Sequence, residues 1–268
     1  MKKNSRGTSP HRTRHLMIYT FLLILVLLYF ASRQQRLTME GQQKVEDAKK
    51  QVSVLELKKT KEKPSPDSGD ALVLEQEEMW SLILTNESHP VPENINIQLK
   101  KIDGTEESVD ERVYGPLMKM LAEMRQQGMD PIVCSGYRTK EKQTELYQQQ
   151  IQEFIDQGHP EKEAEELAKK EVSVPQSGEH RLGLAVDIYS GGHLALDVGF
   201  ADTPEGIWLR EHASDYGFIL RYEQGKENQT GINYEPWHFR YVGVKAAQYM
   251  KEHGLCLEEF YLDQGLYG

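Results

Sequence analysis

Residues 177–188 read Ser-Gly-Glu-His-Arg-Leu-Gly-Leu-Ala-Val-Asp-Ile and contain a histidine, an aspartate and an apolar run. The run over residues 183–188 predicts a buried strand, before which His180 stands. A strand advances about 3.3 Å per residue, so a fully extended chain would hold His180 and Asp187 too far apart for one ion. Gly183 would have to allow a turn between them, because glycine adopts backbone conformations that other residues avoid.

A second segment, residues 234–241, reads Tyr-Glu-Pro-Trp-His-Phe-Arg-Tyr. Its alternating pattern predicts a strand over residues 237–242 that can lie beside the first. Two histidines and one carboxylate hold zinc in three positions and leave the fourth for water. We therefore predict a Zn²⁺ site at His180, Asp187 and His238. Glu235 stands before a proline, which favours a turn over a helix, and from there it can accept the proton of that water.

A third segment, Ser135-Gly-Tyr-Arg138, follows the short apolar strand predicted at residues 131–134. The guanidinium of Arg138 could clamp a substrate carboxylate or neutralise a developing oxyanion, or it could form a structural ion pair. Gln143 lies one helical turn further on and could reach the same pocket or only pack. His193 and His212 have no such surroundings in the sequence, and we expect both on the surface.

The amino-terminal part of the chain has a different character from the rest. A basic tail at residues 1–15 precedes residues 16–31, which carry no charge. We expect a signal anchor there, with a cleaved signal peptide as the alternative. The basic tail should remain in the cytoplasm, which leaves the remainder outside the cell. Residues 32–70 are predicted to form a polar stalk and linker, and residues 71–268 the folded domain.

The charge balance and a missing serine motif argue against two classes of protein, and the two cysteines allow two interpretations. Residues 71–268 contain 18 Lys and Arg against 35 Asp and Glu, so a nucleic-acid partner is not expected. No serine has a lysine three residues later, which excludes a serine penicillin-binding enzyme. Cys134 and Cys256 could pair outside the cell, although two free thiols are the plainer interpretation.

The remaining pattern mixes helices and strands without a regular βαβ alternation, which predicts an α+β fold with a small, mainly antiparallel sheet and flanking helices. The predicted strands are residues 80–85, 95–99, 131–134, 183–188, 218–222 and 237–242. The predicted helices are residues 110–127, 140–172 in two pieces, 204–216 and 244–253.

These three segments closely resemble the VanY-type D-Ala-D-Ala carboxypeptidases, zinc peptidases related to VanX, over about residues 77–262. The family pattern S-x-H-x-x-G-x-A-x-D corresponds to residues 178–187, and E-x-W-H to residues 235–238. The resemblance implies the same three zinc ligands, Glu235 as base, and an α+β fold shared with the Hedgehog signalling domain. It also implies that Arg138 and Gln143 handle the substrate.

One position departs from the family pattern. The family serine is Gly178 here, and Ser177 stands one place earlier. Ser177 is therefore a further candidate for substrate binding.

The predicted function is a zinc-dependent D,D-carboxypeptidase that removes the terminal D-alanine from peptidoglycan precursors or stem peptides. In a VanY-type setting this contributes to glycopeptide resistance. The alternatives are an L,D-carboxypeptidase that trims tetrapeptide stems and a noncatalytic zinc module that binds peptidoglycan. The expected partners are stem peptides ending in D-alanine and, through the anchor, the cell membrane, with the catalytic domain extracellular.

Overall fold

A computed structural model of the chain describes residue 72 and residues 74–267. The tail, the signal anchor and the stalk predicted for residues 1–70 lie outside the described residues. Within the described part, no helix has both the length and the apolar character that crossing a membrane requires.

A four-stranded antiparallel sheet forms the centre of the fold. Its strands are β3 (Pro131–Ser135), β4 (Ala185–Ser190), β5 (Phe218–Leu220) and β6 (His238–Tyr241), and they lie side by side in the order β3-β4-β6-β5. Nearly every residue of β4 is buried, which explains why its sequence is a continuous apolar run rather than an alternating one. A separate antiparallel hairpin joins β1 (Leu99–Lys101) to β2 (Ser108–Asp110).

Helix α1 (Glu111–Gln126) begins directly after the hairpin, where the side chain of Asp110 accepts a hydrogen bond from Arg112 N and caps the helix. Its apolar side chains recur at helical spacing and pack with Val186 and Ile188 of β4 in the main hydrophobic core. The sheet and this helix therefore bury the strand that carries Asp187.

The other helices surround the sheet: α2 (Lys140–Asp156), α3 (Glu161–Ala168), α4 (Pro204–His212), α5 (Glu227–Thr230), α6 (Val244–His253) and α7 (Leu257–Asp263). Short 3-10 helices cover Gln76–Ser81, Glu179–Leu182, Val198–Asp202 and Ala213–Tyr216. The predicted α+β fold with a small antiparallel sheet and flanking helices is confirmed for the described residues.

The strand predicted at residues 80–85 is wrong. A 3-10 helix ends at Ser81, and residues 82–85 pair with no strand. The apolar alternation there instead reflects Leu82 and Leu84, which are buried in a second core against α6 and α7. The backbone of this segment is satisfied by side chains: Arg240 donates to the Ser81 and Ile83 carbonyls.

The strand predicted at residues 95–99 is also mostly wrong, because only Leu99 lies in β1. Both cysteines are free, Cys134 half-buried and Cys256 buried.

Candidate metal centre and active site

The candidate site is built across three neighbouring strands. Asp187 of β4 lies directly opposite His238 of β6 and opposite Ser135 of β3. His180 reaches the same place because the 3-10 helix Glu179–Leu182 turns the chain back at Gly183, whose φ is +67°. A side chain at Gly183 would place its Cβ 2.9 Å from the Asp110 backbone nitrogen, so the turn needs glycine for its shape and for its space.

The three predicted metal ligands converge. His180, Asp187 and His238 each offer one ligand atom, and these atoms lie within 4.8 Å of one another. The Nδ1 atom of His180 contacts the Gly136 carbonyl at 2.7 Å, which leaves Nε2 for the metal, 3.2 Å from Asp187 Oδ2. In His238 the other ring nitrogen faces the ligand atoms: its Nδ1 lies 3.0 Å from Asp187 Oδ1.

This donor set fits zinc. Two imidazole nitrogens and one carboxylate are the ligands of many catalytic zinc sites, and here all three residues are buried. Burial alone would raise the pKa of Asp187, but His180 and Arg138 outweigh it and hold that pKa well below its usual range. Asp187 is therefore ionised, as a metal ligand must be.

Glu235 lies on the predicted turn, where its carbonyl accepts a hydrogen bond from His238 N at 3.1 Å. Its carboxylate Oε2 is 3.7 Å from His238 Nδ1, beside the ligand atoms. Burial raises the pKa of Glu235 to about 8, against the opposing effects of His238 and Arg138. A carboxylate beside the ligand atoms is placed to accept a proton and to release it again.

Arg138 also faces this centre. Its Nη2 atom forms an ion pair with Asp187 Oδ2, and its Nε atom donates to Ser135 Oγ at 2.9 Å. The side chain is 19% exposed and lines the cavity above the ligands, so its remaining donors can reach a substrate.

Gln143 lines the same cavity and is buried. Its Nε2 atom donates to the Ser173 carbonyl at 2.8 Å, whereas its Oε1 atom has no hydrogen-bond partner among the described residues. A Cβ at Gly178 would lie only 3.0 Å from Gln143 Cδ. The glycine that replaces the family serine therefore leaves Gln143 room to approach the cavity.

The structure does not bring the other sequence candidates to the site. Ser177 is buried, and its hydroxyl donates to the Val174 carbonyl at 3.4 Å instead of lining the cavity. His193 pairs with Asp197 at 2.9 Å outside the ligand set, and the side chain of His212 is 46% exposed.

The cavity has a volume of about 580 Å³ and extends well beyond the ligand atoms. Leu196, Val198 and Trp237 contribute apolar surface, while Glu153 and Glu171 contribute acidic groups. This volume lies within the range of about 300–1,000 Å³ that is typical of small-molecule binding sites.

Sequence reasoning missed a buried charge cluster behind the metal ligands, which consists of Glu179, Arg221, Arg240 and Glu258. Glu179 Oε1 accepts hydrogen bonds from Arg221 Nε at 2.8 Å and Arg240 Nη1 at 2.7 Å. Glu258 accepts hydrogen bonds from the Nη1 and Nη2 atoms of Arg221. The sequence signal for this cluster was the presence of charged residues inside apolar segments. Charged side chains are rarely buried without partners, so such residues indicate buried ion pairs.

Comparison with known proteins gives concordant results. The family model described as VanY, D-alanyl-D-alanine carboxypeptidase, matches residues 106–244. A D-alanyl-D-alanine carboxypeptidase of Enterococcus faecalis is 39% identical over 184 residues, which cover 69% of this chain. The matched segment spans 66% of that relative, just under two thirds of its length.

Solved structures are similar as well. VanYB in complex with D-alanine-D-alanine superposes with a TM-score of 0.63 and 40% identity, covering 69% of this chain and 98% of that one. A VanY D,D-pentapeptidase variant from a VanB-type resistance cassette, in complex with Zn(II), superposes with a TM-score of 0.62 and is 39% identical. The match covers 68% of this chain and 98% of that one. The LdcB LD-carboxypeptidase superposes with a TM-score of 0.59 and is 31% identical, with 73% of this chain and 92% of that one covered.

Proposed function

The chain belongs to the VanY family of D-alanyl-D-alanine carboxypeptidases, and from this premise we propose that it is a zinc-dependent D,D-carboxypeptidase. Its substrates are peptidoglycan precursors or stem peptides, from which it removes the terminal D-alanine. The observation that carries the proposal is the buried set of His180, Asp187 and His238 with Glu235 beside it in one cavity. A role in glycopeptide resistance follows if the host uses the enzyme to remove the D-Ala-D-Ala target.

The residues divide the chemistry between them. A zinc ion, when bound, supplies Lewis acidity to the scissile carbonyl and lowers the pKa of water. Glu235 takes a proton from the attacking water and delivers it to the leaving amine of D-alanine. Arg138 presents charged donors to the substrate carboxylate or to the oxygen on which negative charge develops.

An L,D-carboxypeptidase is the second candidate, supported by the similarity to LdcB. A noncatalytic peptidoglycan-binding module is less well supported, because binding alone requires no base at Glu235.

One experiment separates the three. The purified chain is incubated with matched pentapeptide and tetrapeptide stems, and D-alanine release is followed by mass spectrometry. Release from the pentapeptide alone supports D,D activity. Release from the tetrapeptide alone supports L,D activity, and binding of either stem without release supports the noncatalytic module.

We also propose that residues 16–31 anchor the protein in the cell membrane and that the domain from residue 71 lies outside. The support is the basic tail before an uncharged segment. Residues 1–70 fused to a reporter should leave the reporter outside the cell and membrane-bound. A released reporter of processed length would indicate a cleaved signal peptide.

A further inference from the structure

The carboxylate of Glu179 has two oxygens with different surroundings. The side chain is entirely buried, and Oε1 is held by Arg221 and Arg240. The other oxygen, Oε2, has no hydrogen-bond partner within the described part of the chain. It lies 3.5 Å from Nε2 of His238. That nitrogen is likewise buried and without a hydrogen-bond partner there.

These two atoms complement each other once His238 binds a metal. Nδ1 of His238 faces Asp187 and the other ligand atoms, so Nδ1 must present its lone pair to the metal. A neutral imidazole then carries its proton on Nε2. A buried N–H without an acceptor is costly, and Glu179 Oε2 is the acceptor placed to receive it.

We propose that Glu179 is a positioning residue for the metal centre: it accepts the Nε2–H of His238 and so fixes the tautomer and the orientation of that ligand. The inference rests on the proposed function insofar as His238 binds zinc. Arg221 and Arg240 keep the carboxylate in place and ionised from the opposite side.

The two histidine ligands therefore differ in their support. His180 donates its second N–H to a neutral backbone carbonyl, that of Gly136. His238 donates to a carboxylate, and an anionic acceptor makes the imidazole a stronger ligand. Glu179 thus influences zinc affinity through His238 without touching the metal or the substrate.

The same charge cluster offers a matched control. Glu258 also pairs with Arg221, at 2.6 Å, but its carboxylate otherwise accepts a hydrogen bond from Asn86, away from the ligands. Glu179→Gln and Glu258→Gln each remove one carboxylate from the cluster. Only the first removes the anionic acceptor of His238.

The test measures zinc affinity of the purified chain by competition with a chelator, and the visible absorption spectrum after Co²⁺ replaces zinc. We expect Glu179→Gln to weaken zinc binding about 10- to 100-fold and to change the Co²⁺ spectrum. Glu258→Gln should lower the melting temperature but leave zinc affinity and the spectrum as in the unsubstituted chain. Unchanged affinity and spectrum in Glu179→Gln would overturn the proposal, and so would equal losses in both variants.

Glu179→Asp covers the case in which Glu179→Gln does not fold. The shorter side chain keeps the charge beside the two arginines but cannot span the same distance to His238. We expect it to fold with weakened zinc binding, and full affinity in this variant would contradict the proposal. These readouts do not depend on D-alanine release, so failure of the proposed activity would be seen separately.

Discussion

At the scale of single residues, the charge state of Glu235 depends on opposing effects. Burial favours the protonated form, whereas His238 and Arg138 favour the carboxylate. A cation held by the three ligands acts in the same direction as these two residues and favours the ionised form that a base requires. The position of Glu235 beside the ligand atoms therefore matters as much as its identity.

Glu235→Gln should separate metal binding from chemistry. The amide keeps the shape of the side chain but cannot take up a proton at neutral pH. We expect normal zinc content and a fall in kcat of at least about 10²-fold, the lower range for loss of a general base. Glu153→Gln, on the wall of the same cavity, serves as the control and should retain most activity. Turnover near that of the unsubstituted enzyme in Glu235→Gln would remove Glu235 from the mechanism.

Arg138→Lys tests whether the guanidinium acts on the substrate. A single ammonium cannot reproduce two parallel hydrogen bonds, so we expect kcat/KM to fall about 10- to 100-fold. Arg112→Lys is the matched control, because Arg112 also pairs with an aspartate but does not line the cavity. Steady-state kinetics on the pentapeptide stem supply the comparison. Equal, small effects in both variants would mean that Arg138 is only structural.

At the scale of secondary-structure elements, Gly183 links the fold to the site. The 3-10 helix before it and β4 after it carry two of the three ligands, and its left-handed backbone conformation sets the angle between them. Any change in this turn moves His180 relative to Asp187. Stability and zinc binding should therefore respond together to substitution here.

Gly183→Ala should lower the free energy of unfolding by more than the cost of the left-handed backbone conformation alone. An L-residue in the left-handed region costs about 1–2 kcal/mol, and the close contact with Asp110 N adds about 1–3 kcal/mol. Gly128→Ala is the control, since Gly128 also has a positive φ but has open space around it. Denaturant unfolding of both variants gives the difference. Equal losses in the two would show that the contact with Asp110 relaxes without cost.

Some elements were predictable from the sequence and others were not, for identifiable reasons. The helix at residues 244–253 was predicted with its observed bounds, because apolar spacing and a terminal glycine are local signals. Residues 82–85 have the alternation of a strand but no strand partner. The Ile83 carbonyl accepts a hydrogen bond from Arg240 and the Leu82 carbonyl accepts one from Tyr261, both far away in the sequence. No local pattern reports such contacts.

At the scale of the whole molecule, the same distinction holds for the site. The ligands and Glu235 are recognisable because their residue types and spacing are specific to zinc chemistry. Glu179 is next to His180 in the sequence, yet its role depends on Arg221, Arg240 and His238, which the fold brings together from other elements. Hydroxyl groups are harder still to place: Ser177 is adjacent to the motif but bonds to the backbone.

The inhibitor profile of the whole enzyme follows from the absence of a serine nucleophile in the proposed mechanism. Penicillins inactivate serine carboxypeptidases by acylating a hydroxyl, whereas hydrolysis by water assisted by Glu235 leaves no side chain to acylate. D-Alanine release should therefore continue in penicillin, stop when a chelator removes the metal, and return when zinc is added. A single assay with these three additions, accompanied by metal analysis, makes the comparison. Stoichiometric labelling by penicillin with loss of activity would overturn the zinc mechanism, and so would full turnover by a chain shown to be free of metal.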